Sequence, residues 1–390
     1  MSTTLAPKQR LGCRTSTSAQ PQSTDPSTAT PLTYFRGRVA LAAILRGLGI
    51  GPGDEVVVQA FTCVAVPEGV MATGAKPVYA DIAADSFNID PESLARAITP
   101  ATRAVVAQHT FGMPAEMPRI MEIANHAGLP VVEDCCHDMG TTIDGQPIGS
   151  FGVASFNSFE WGKPVVAGLG GEAVVSDAEL RRRLEAEYAN YTFPSRKKQL
   201  QLELQYAAFG VLYRPQWYWQ VRSAFHQLGR LGAVAGNFRS AEESQEVSPE
   251  FSLRMSQRMT RRAIKGQQQL ADIRQYSRKI TNAYRQAIDS QCVQHPSLPA
   301  APDTYFARYP LRVADKPRLL AEARRQRIEL AEWYRTVIHP LEGDELRAVG
   351  YEPGSCPQAE RRAGEIVSLP THRRTPDDFP HRAAELLNQH

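Results

Sequence analysis

Residues 131–175 read VVEDCCHDMGTTIDGQPIGSFGVASFNSFEWGKPVVAGLGGEAVV. Two apolar runs carry polar residues at or just past their ends. Asp134 and His137 follow the first, Ser158 and Lys163 the second. A glycine-rich turn, Gly168-Leu169-Gly170-Gly171, leads into a third apolar run. In an open α/β sheet, ligands bind outside the carboxyl ends of the strands. An acid, an imidazole, a hydroxyl and a lysine would all be delivered there.

Upstream of this stretch, helical and extended patterns alternate. Tyr34 to Leu48 has helical apolar spacing at Val39, Leu41, Ile44, Leu45 and Leu48, and GIGPGDE ends it. Val56-Val57-Val58 reads as a short buried strand. CVAVPEGVMATG reads as a helix, PVYADI as a strand and PESLARAIT as a capped helix. AVVAQH reads as a strand, MPRIMEIANHAG as a helix and LPVVED as a strand. Such alternation predicts a mostly parallel sheet with helices on both faces, an α/β fold. After Val175 the pattern is mostly helical to about Arg239, with an aromatic-rich centre from Tyr213 to Phe225. A long helix is expected from Phe251 to Ala287, then short strands and helices of a smaller C-terminal α+β domain. Residues 1–30 are rich in Ser, Thr, Pro and Gln and are expected to be disordered. The expected organisation is a tail at 1–30, a large domain at 31–240 with a helical insertion at about 195–240, and a long helix and small domain at 250–390.

The composition excludes several classes. The chain has 390 residues, 42% of them hydrophobic and 22% charged, as in a globular protein with a sizeable core. A formal net charge of +3 is too small to argue for nucleic acid. The basic clusters at 181–183, 196–198 and 261–262 fall in helix-like stretches and read as solvated faces. Among six cysteines there is no CxxC pair for zinc or redox work. Isolated thiols and the lack of a signal-type apolar segment point to the cytoplasm. No apolar run is long enough to span a membrane.

The chemistry-bearing residues suit an anionic aldehyde cofactor such as pyridoxal phosphate. Lys163 supplies an amine that can condense with a carbonyl and carry a proton; a surface lysine is the plainer reading. Asp134 supplies a carboxylate for a pyridinium nitrogen, or a cap for the following turn. Glu133, one residue earlier, would point to the opposite face of a strand. Gly37-Arg38 precedes a helix whose N-terminal N–H groups favour a phosphate.

The motifs EDCCHDMG, SFNSFEWGK and the following GLGG resemble the DegT/DnrJ/EryC1/StrS family of pyridoxal-phosphate aminotransferases. GLGIGPGDEVVVQAFTCVAVPEGVMATGAKPVYADI and FNIDPESLARAITPATRAVVAQHTFGMPAEM extend the resemblance, with weaker matches at SLRMSQ and CPQAERRAGEIVSLP. It covers roughly residues 34–180 well and 250–385 loosely. The resemblance implies fold type I and a homodimer with shared active sites. It implies amino transfer from glutamate or glutamine to a keto-sugar, mostly nucleotide-linked. Lys163 would bond the cofactor, Asp134 face its ring nitrogen, His137 lie against its ring and Ser158 hold its phosphate.

Three positions depart from the family pattern. Arg38 replaces a small hydroxyl residue, and either adds charge-assisted bonds to the phosphate or points to solvent. Cys63 stands where an aromatic often stacks on the ring. Ser252 stands where the neighbouring subunit often offers an Asn to the phosphate. His109 matches a common family histidine and reads best as structural, and Ala307 replaces another histidine. Residues 206–232 look like an insertion that packs against the core or a second subunit, walls the substrate's nucleotide, or touches a membrane surface. Two alternatives stay open: amination of a cyclitol or other small ketone, and a non-catalytic regulatory relative. Dehydrating relatives carry histidine in place of the lysine, so Lys163 argues against that branch.

Overall fold

The computed structural model describes residues 31–137, 140–230, 234–235, 248–289, 291, 293–297 and 305–389. The expected tail at 1–30 and most of the expected domain boundary near 240–250 lie outside the described residues.

The chain enters through strand β1 (Leu32–Tyr34) and helix α1 (Gly37–Gly47). It continues through β2 (Glu55–Gln59), the two-residue β3 (Thr62–Cys63), α2 (Ala65–Met71), β4 (Lys76–Ala80) and α3 (Pro91–Ala97). Then come β5 (Thr102–Gln108), α4 (Met117–His126) and β6 (Val131–Asp134). A small hairpin, β7 (Thr142–Ile143) with β8 (Gln146–Pro147), precedes β9 (Ala154–Ser158) and β10 (Gly171–Val175). Seven of these strands form one sheet in the order β1-β10-β9-β6-β5-β2-β4. The run from β9 to β4 is parallel, and β10 and β1 close one edge antiparallel.

Both faces of the sheet are covered, which is why its strands read as unbroken apolar runs. On β2, Val56 and Val58 face a core shared with Leu41, Ile44 and Leu45 of α1. Val57 faces the opposite core, with Leu94 of α3 and Met117 and Ile120 of α4. Asp90 caps α3 by accepting from the Ser93 N–H at 2.9 Å. The first helix is shorter than the apolar spacing predicts: Leu32–Tyr34 pairs with β10, and Arg36 is the N-cap residue of α1.

Beyond β10 come α5 (Ala178–Tyr188), α6 (Arg196–Leu212), α7 (Tyr218–Arg230), α8 (Gln257–Gln268) and α9 (Leu270–Ala287). The single helix expected over 251–287 is instead a short 3-10 turn at Pro249–Ser252 followed by two helices. They part at Gln269, whose φ of −96° and ψ of 9° leave the helical region. The C-terminal part contains β11 (Arg308–Arg312), α10 (Lys316–Arg325), β12 (Ile338–His339), α11 (Asp344–Ala348), α12 (Pro357–Glu365), β13 (Ile366–Pro370) and α13 (Phe379–Leu387). Its core is rich in aromatics, with Tyr284, Tyr309 and Phe379 fully buried.

Two connections shape the site. Strand β12 pairs parallel with β3, setting His339 beside Cys63 and bringing the 331–335 segment to the sheet. The helical insertion is tied to the C-terminal part by three bonds. Trp219 Nε1 donates to the Ile328 carbonyl at 2.8 Å, the Tyr213 hydroxyl to Glu329 at 3.0 Å, and Arg222 to Glu332 at 3.0 Å. Among the described residues no helix is long and apolar enough to cross a membrane.

Candidate active site

Parallel strands β6 and β9 end side by side, so Asp134 and Ser158 are delivered to the same end of the sheet. Lys163 follows β9 in a tight turn, its N–H donating to the Glu160 carbonyl at 3.2 Å. A cavity of about 1350 Å³ opens there. Its wall includes Gly37, Arg38, Cys63, Asp134, His137, Ser158 and Lys163. Seven of the eight residues singled out from sequence therefore meet on one cavity. The eighth, Ser252, is exposed in the short turn before α8 and is not in the wall of its own chain's cavity.

Asp134 is buried, and its Oδ1 accepts from the Cys136 N–H at 2.9 Å. Burial, with the Asp134 carboxylate beside it, pushes the Cys136 thiol well above its usual range. His137 is also buried; its Nδ1 accepts from the Phe111 N–H at 3.1 Å, which leaves the proton on Nε2. Burial, and then the nearby Lys163 ammonium, hold His137 well below the usual imidazole range. It is a neutral ring at pH 7. Lys163 Nζ lies 5.1 Å from the centre of the Trp333 ring, and the Trp333 and His137 ring centres are 4.7 Å apart.

The N-terminus of α1 also faces the cavity. A Cβ at Gly37 would lie 3.1 Å from Ser158 Cβ and 3.3 Å from the Asn157 carbonyl oxygen, so the helix start and Ser158 are in close contact. Gly170, at φ 138°, and Gly171 hold this corner; a Cβ at Gly171 would overlap the Arg36 carbonyl and the Gly37 nitrogen. The solvent-facing alternative for Arg38 does not hold. Its side chain is buried and paired with Glu68 of α2, a partner 30 residues away that local sequence does not announce. Cys63 is half-buried in the wall, and burial raises its thiol. His109 is structural, as expected: fully buried, its Nδ1 accepts from Ala115 N–H at 3.1 Å and its Nε2 faces Glu133 at 3.4 Å.

The donor set fits pyridoxal phosphate. A helix N-terminus and a serine hydroxyl suit the phosphate, a carboxylate the ring nitrogen, a neutral imidazole the ring and an amine the aldehyde. The indole Nε1 of Trp161, in the cavity wall, is buried without a protein acceptor and offers a further donor. Sequence reasoning missed Trp161 and Trp333. Trp333 enters only through the β3–β12 pairing, and its one sequence signal is the Trp333-Tyr334 pair flanked by charges.

The DegT/DnrJ/EryC1/StrS aminotransferase family matches residues 31–385. Over 149 residues the chain is 44% identical to UDP-N-acetyl-3-dehydro-alpha-D-glucosamine 3-aminotransferase of Acidithiobacillus ferrooxidans. That stretch is 38% of this chain, and the chain spans only about 40% of that relative's length. A pleiotropic regulatory protein of Geobacillus stearothermophilus is 27% identical over 86% of this chain and 77% of its own. Among solved structures, S. venezuelae DesV superposes with a TM-score of 0.70 at 25% identity, covering 93% of this chain and 85% of that one. With the match running over nearly the whole described chain, this protein belongs to the DegT/DnrJ/EryC1/StrS aminotransferase family.

Proposed function

We propose that the protein is a pyridoxal-phosphate-dependent aminotransferase that moves an amino group from glutamate or glutamine to a keto-sugar. The observation that carries this reading is the meeting of Lys163, Asp134, His137, Ser158 and the α1 N-terminus on one cavity. When bound, the cofactor supplies a carbonyl that condenses with amines and a ring that takes up the electron pair left at the substrate carbon. Asp134 holds the proton on the ring nitrogen. Ser158 and the backbone at Gly37 hold the phosphate, with Arg38 kept beside them by Glu68. His137, neutral, lies against the ring and adds no charge there. Lys163 Nζ would move the proton between the substrate carbon and the cofactor's carbonyl carbon, in opposite senses with donor and acceptor, and the Trp333 face keeps water from one side of the amine.

The acceptor class rests on relatives named for amination of sugars, among them the A. ferrooxidans enzyme and a dTDP-3-amino-3,4,6-trideoxy-alpha-D-glucose transaminase of Streptomyces venezuelae. A homodimer is part of the proposal. Ser252 lies exposed and outside its own cavity, as a residue serving a second copy's phosphate site would. A cytoplasmic location agrees with the free thiols of Cys63, Cys136 and Cys356 among the described residues. A regulatory role is the second reading, favoured by the name of the G. stearothermophilus relative and by Cys63 in place of an aromatic. The test is stoichiometric. Protein loaded with pyridoxal phosphate should release one 2-oxoglutarate per cofactor from glutamate in a single turnover. Release of no 2-oxo acid from glutamate or from glutamine, with cofactor bound, would remove the transaminase reading and leave the regulatory one.

A further inference from the structure

The cavity is much larger than the corner that holds Lys163, Asp134 and Ser158. Its outer part is built by α6, the turn at Pro215–Trp217 and α7, and is walled by Phe209, Leu212, Trp217, Val221, Phe225 and Leu228. Several of the polar groups near this wall are already engaged. Both amide atoms of Gln205 are bonded to the backbone of Ala235, at 3.3 and 3.0 Å. The Tyr213 hydroxyl is bonded to Glu329. A nucleotide base entering here would lose its water and find few groups to replace it, a cost its stacking would have to offset. A hydrocarbon chain would gain from the same surface.

The outer wall is open as well as apolar. Leu212 and Trp217 are each 47% exposed and Leu228 is 43% exposed. Helix α7, of 13 residues, runs about 20 Å alongside. Cationic side chains lie in the same cavity: Arg222 of α7, held by Glu332, and Arg335, which is half-exposed and paired with Glu342. One cavity thus holds the polar corner at Lys163, the Arg222 and Arg335 guanidinium groups and the apolar wall that opens to the surface. A phosphate suits the guanidinium groups by displacing the Glu332 and Glu342 carboxylates that pair with them.

On the aminotransferase reading above, we infer that the acceptor ketone is carried on a hydrocarbon chain through a phosphate. The chain lies along α6 and α7, and Arg222 and Arg335 take the phosphate. The passage is continuous with the catalytic cavity, and that continuity selects a substrate tail as its occupant over an unrelated partner. It gives the aromatic-rich insertion a task that packing alone leaves unexplained.

The test uses the protein loaded with pyridoxal phosphate and a series of n-alkyl phosphates from butyl to decyl, below their micelle concentrations, with UMP as comparator. Binding is read by calorimetry. Each methylene buried should tighten binding by about fourfold. Decyl phosphate should then bind far more tightly than UMP. Leu228→Asp, at an exposed position of the passage, should flatten the series and cost decyl phosphate at least about tenfold. Ile264→Asp, equally exposed on α8 but outside the cavity, should leave the slope unchanged. A flat series with tighter UMP binding would overturn the inference in favour of a nucleotide carrier. An equal loss in both variants would overturn it as non-specific adsorption. A change of oligomeric state in Leu228→Asp without any chain-length slope would overturn it in favour of a second copy seated on the passage. The release of 2-oxoglutarate by the same preparation reports separately on the aminotransferase reading.

Discussion

Glu133 offers a sharp test of how the sheet end is held. It sits at the centre of β6, fully buried, one residue before Asp134 and on the opposite face. Its Oε1 accepts from the N–H groups of Phe151 at 2.7 Å and Gly152 at 2.8 Å, and its Oε2 from that of Gly149 at 2.8 Å. Because His109 Nδ1 accepts from Ala115, His109 Nε2 carries the proton and is a fourth donor to the carboxylate. Glu133→Gln keeps the shape but turns one oxygen into an NH2. With its remaining oxygen toward Phe151 and Gly152, the amide sets its own donors against Gly149 and His109. Two buried donors lose their acceptor, at about 1–3 kcal/mol each, so the change should cost about 4 kcal/mol. Such a loss is a large share of a typical net stability and should lower Tm by about 5 °C in a chain of this size. Burial alone would raise the Glu133 pKa, but His109 and the Gly152 and Gly149 N–H groups overcome it and hold the carboxyl below its usual range. Its stabilisation is therefore present above the unfolded carboxylate pKa of about 4.3 and lost as pH falls through the folded value. Denaturant unfolding of both proteins from pH 8 to pH 3 should show the gap closing only at the acid end. A gap under about 1 kcal/mol at pH 7, below the cost of a single lost acceptor, would refute the reasoning.

Arg308→Met should cost about 3–5 kcal/mol at pH 7, because it strands the fully buried Glu329 carboxylate that Arg308 contacts at 3.0 Å. Against burial, which would raise it, Arg308 and His372 hold Glu329 to about 2. Its contribution in the native protein thus persists above about pH 4.3 and fades toward pH 2, which unfolding curves at pH 7 and pH 3 would check. Glu172→Gln should behave oppositely. Burial raises Glu172 to about 7 despite the 2.7 Å bond from Gln267, so native stability falls as pH rises from about 4.3 to 7. The variant should be the more stable protein at pH 8, with the difference gone near pH 4 in calorimetric scans. Gly171→Ala should displace the backbone at Arg36 and Gly37 and weaken pyridoxal phosphate binding by at least about tenfold in equilibrium dialysis, as a loss of about 1.4 kcal/mol would.

What was legible in the sequence is what is local in the chain. Asp134, Ser158 and Lys163 fall within 30 residues, on strand ends that apolar runs mark out. The alternation before Val131 predicts the parallel sheet because each strand is buried on both faces. The Arg38–Glu68 pair was not legible, since it joins two helix starts across a strand. Trp333 was out of reach because only the two-residue pairing of β12 with β3 brings it to Lys163. Glu133 read only as facing away from Asp134, for nothing nearby announces that three N–H groups of a later turn converge on it. The break at Gln269 lacks a proline or glycine at the break itself, so continuous helical spacing hid it. The insertion's aromatics were visible as a cluster, but periodicity does not tell a cavity wall from a core.

The most direct measurement of the central claim is to load the protein with pyridoxal phosphate, reduce it with borohydride, digest it and locate the fixed cofactor by mass spectrometry. The account predicts one phosphopyridoxyl group per chain on the peptide carrying Lys163, and none on that peptide in Lys163→Ala. A label on another lysine, or no label with cofactor bound, would contradict it.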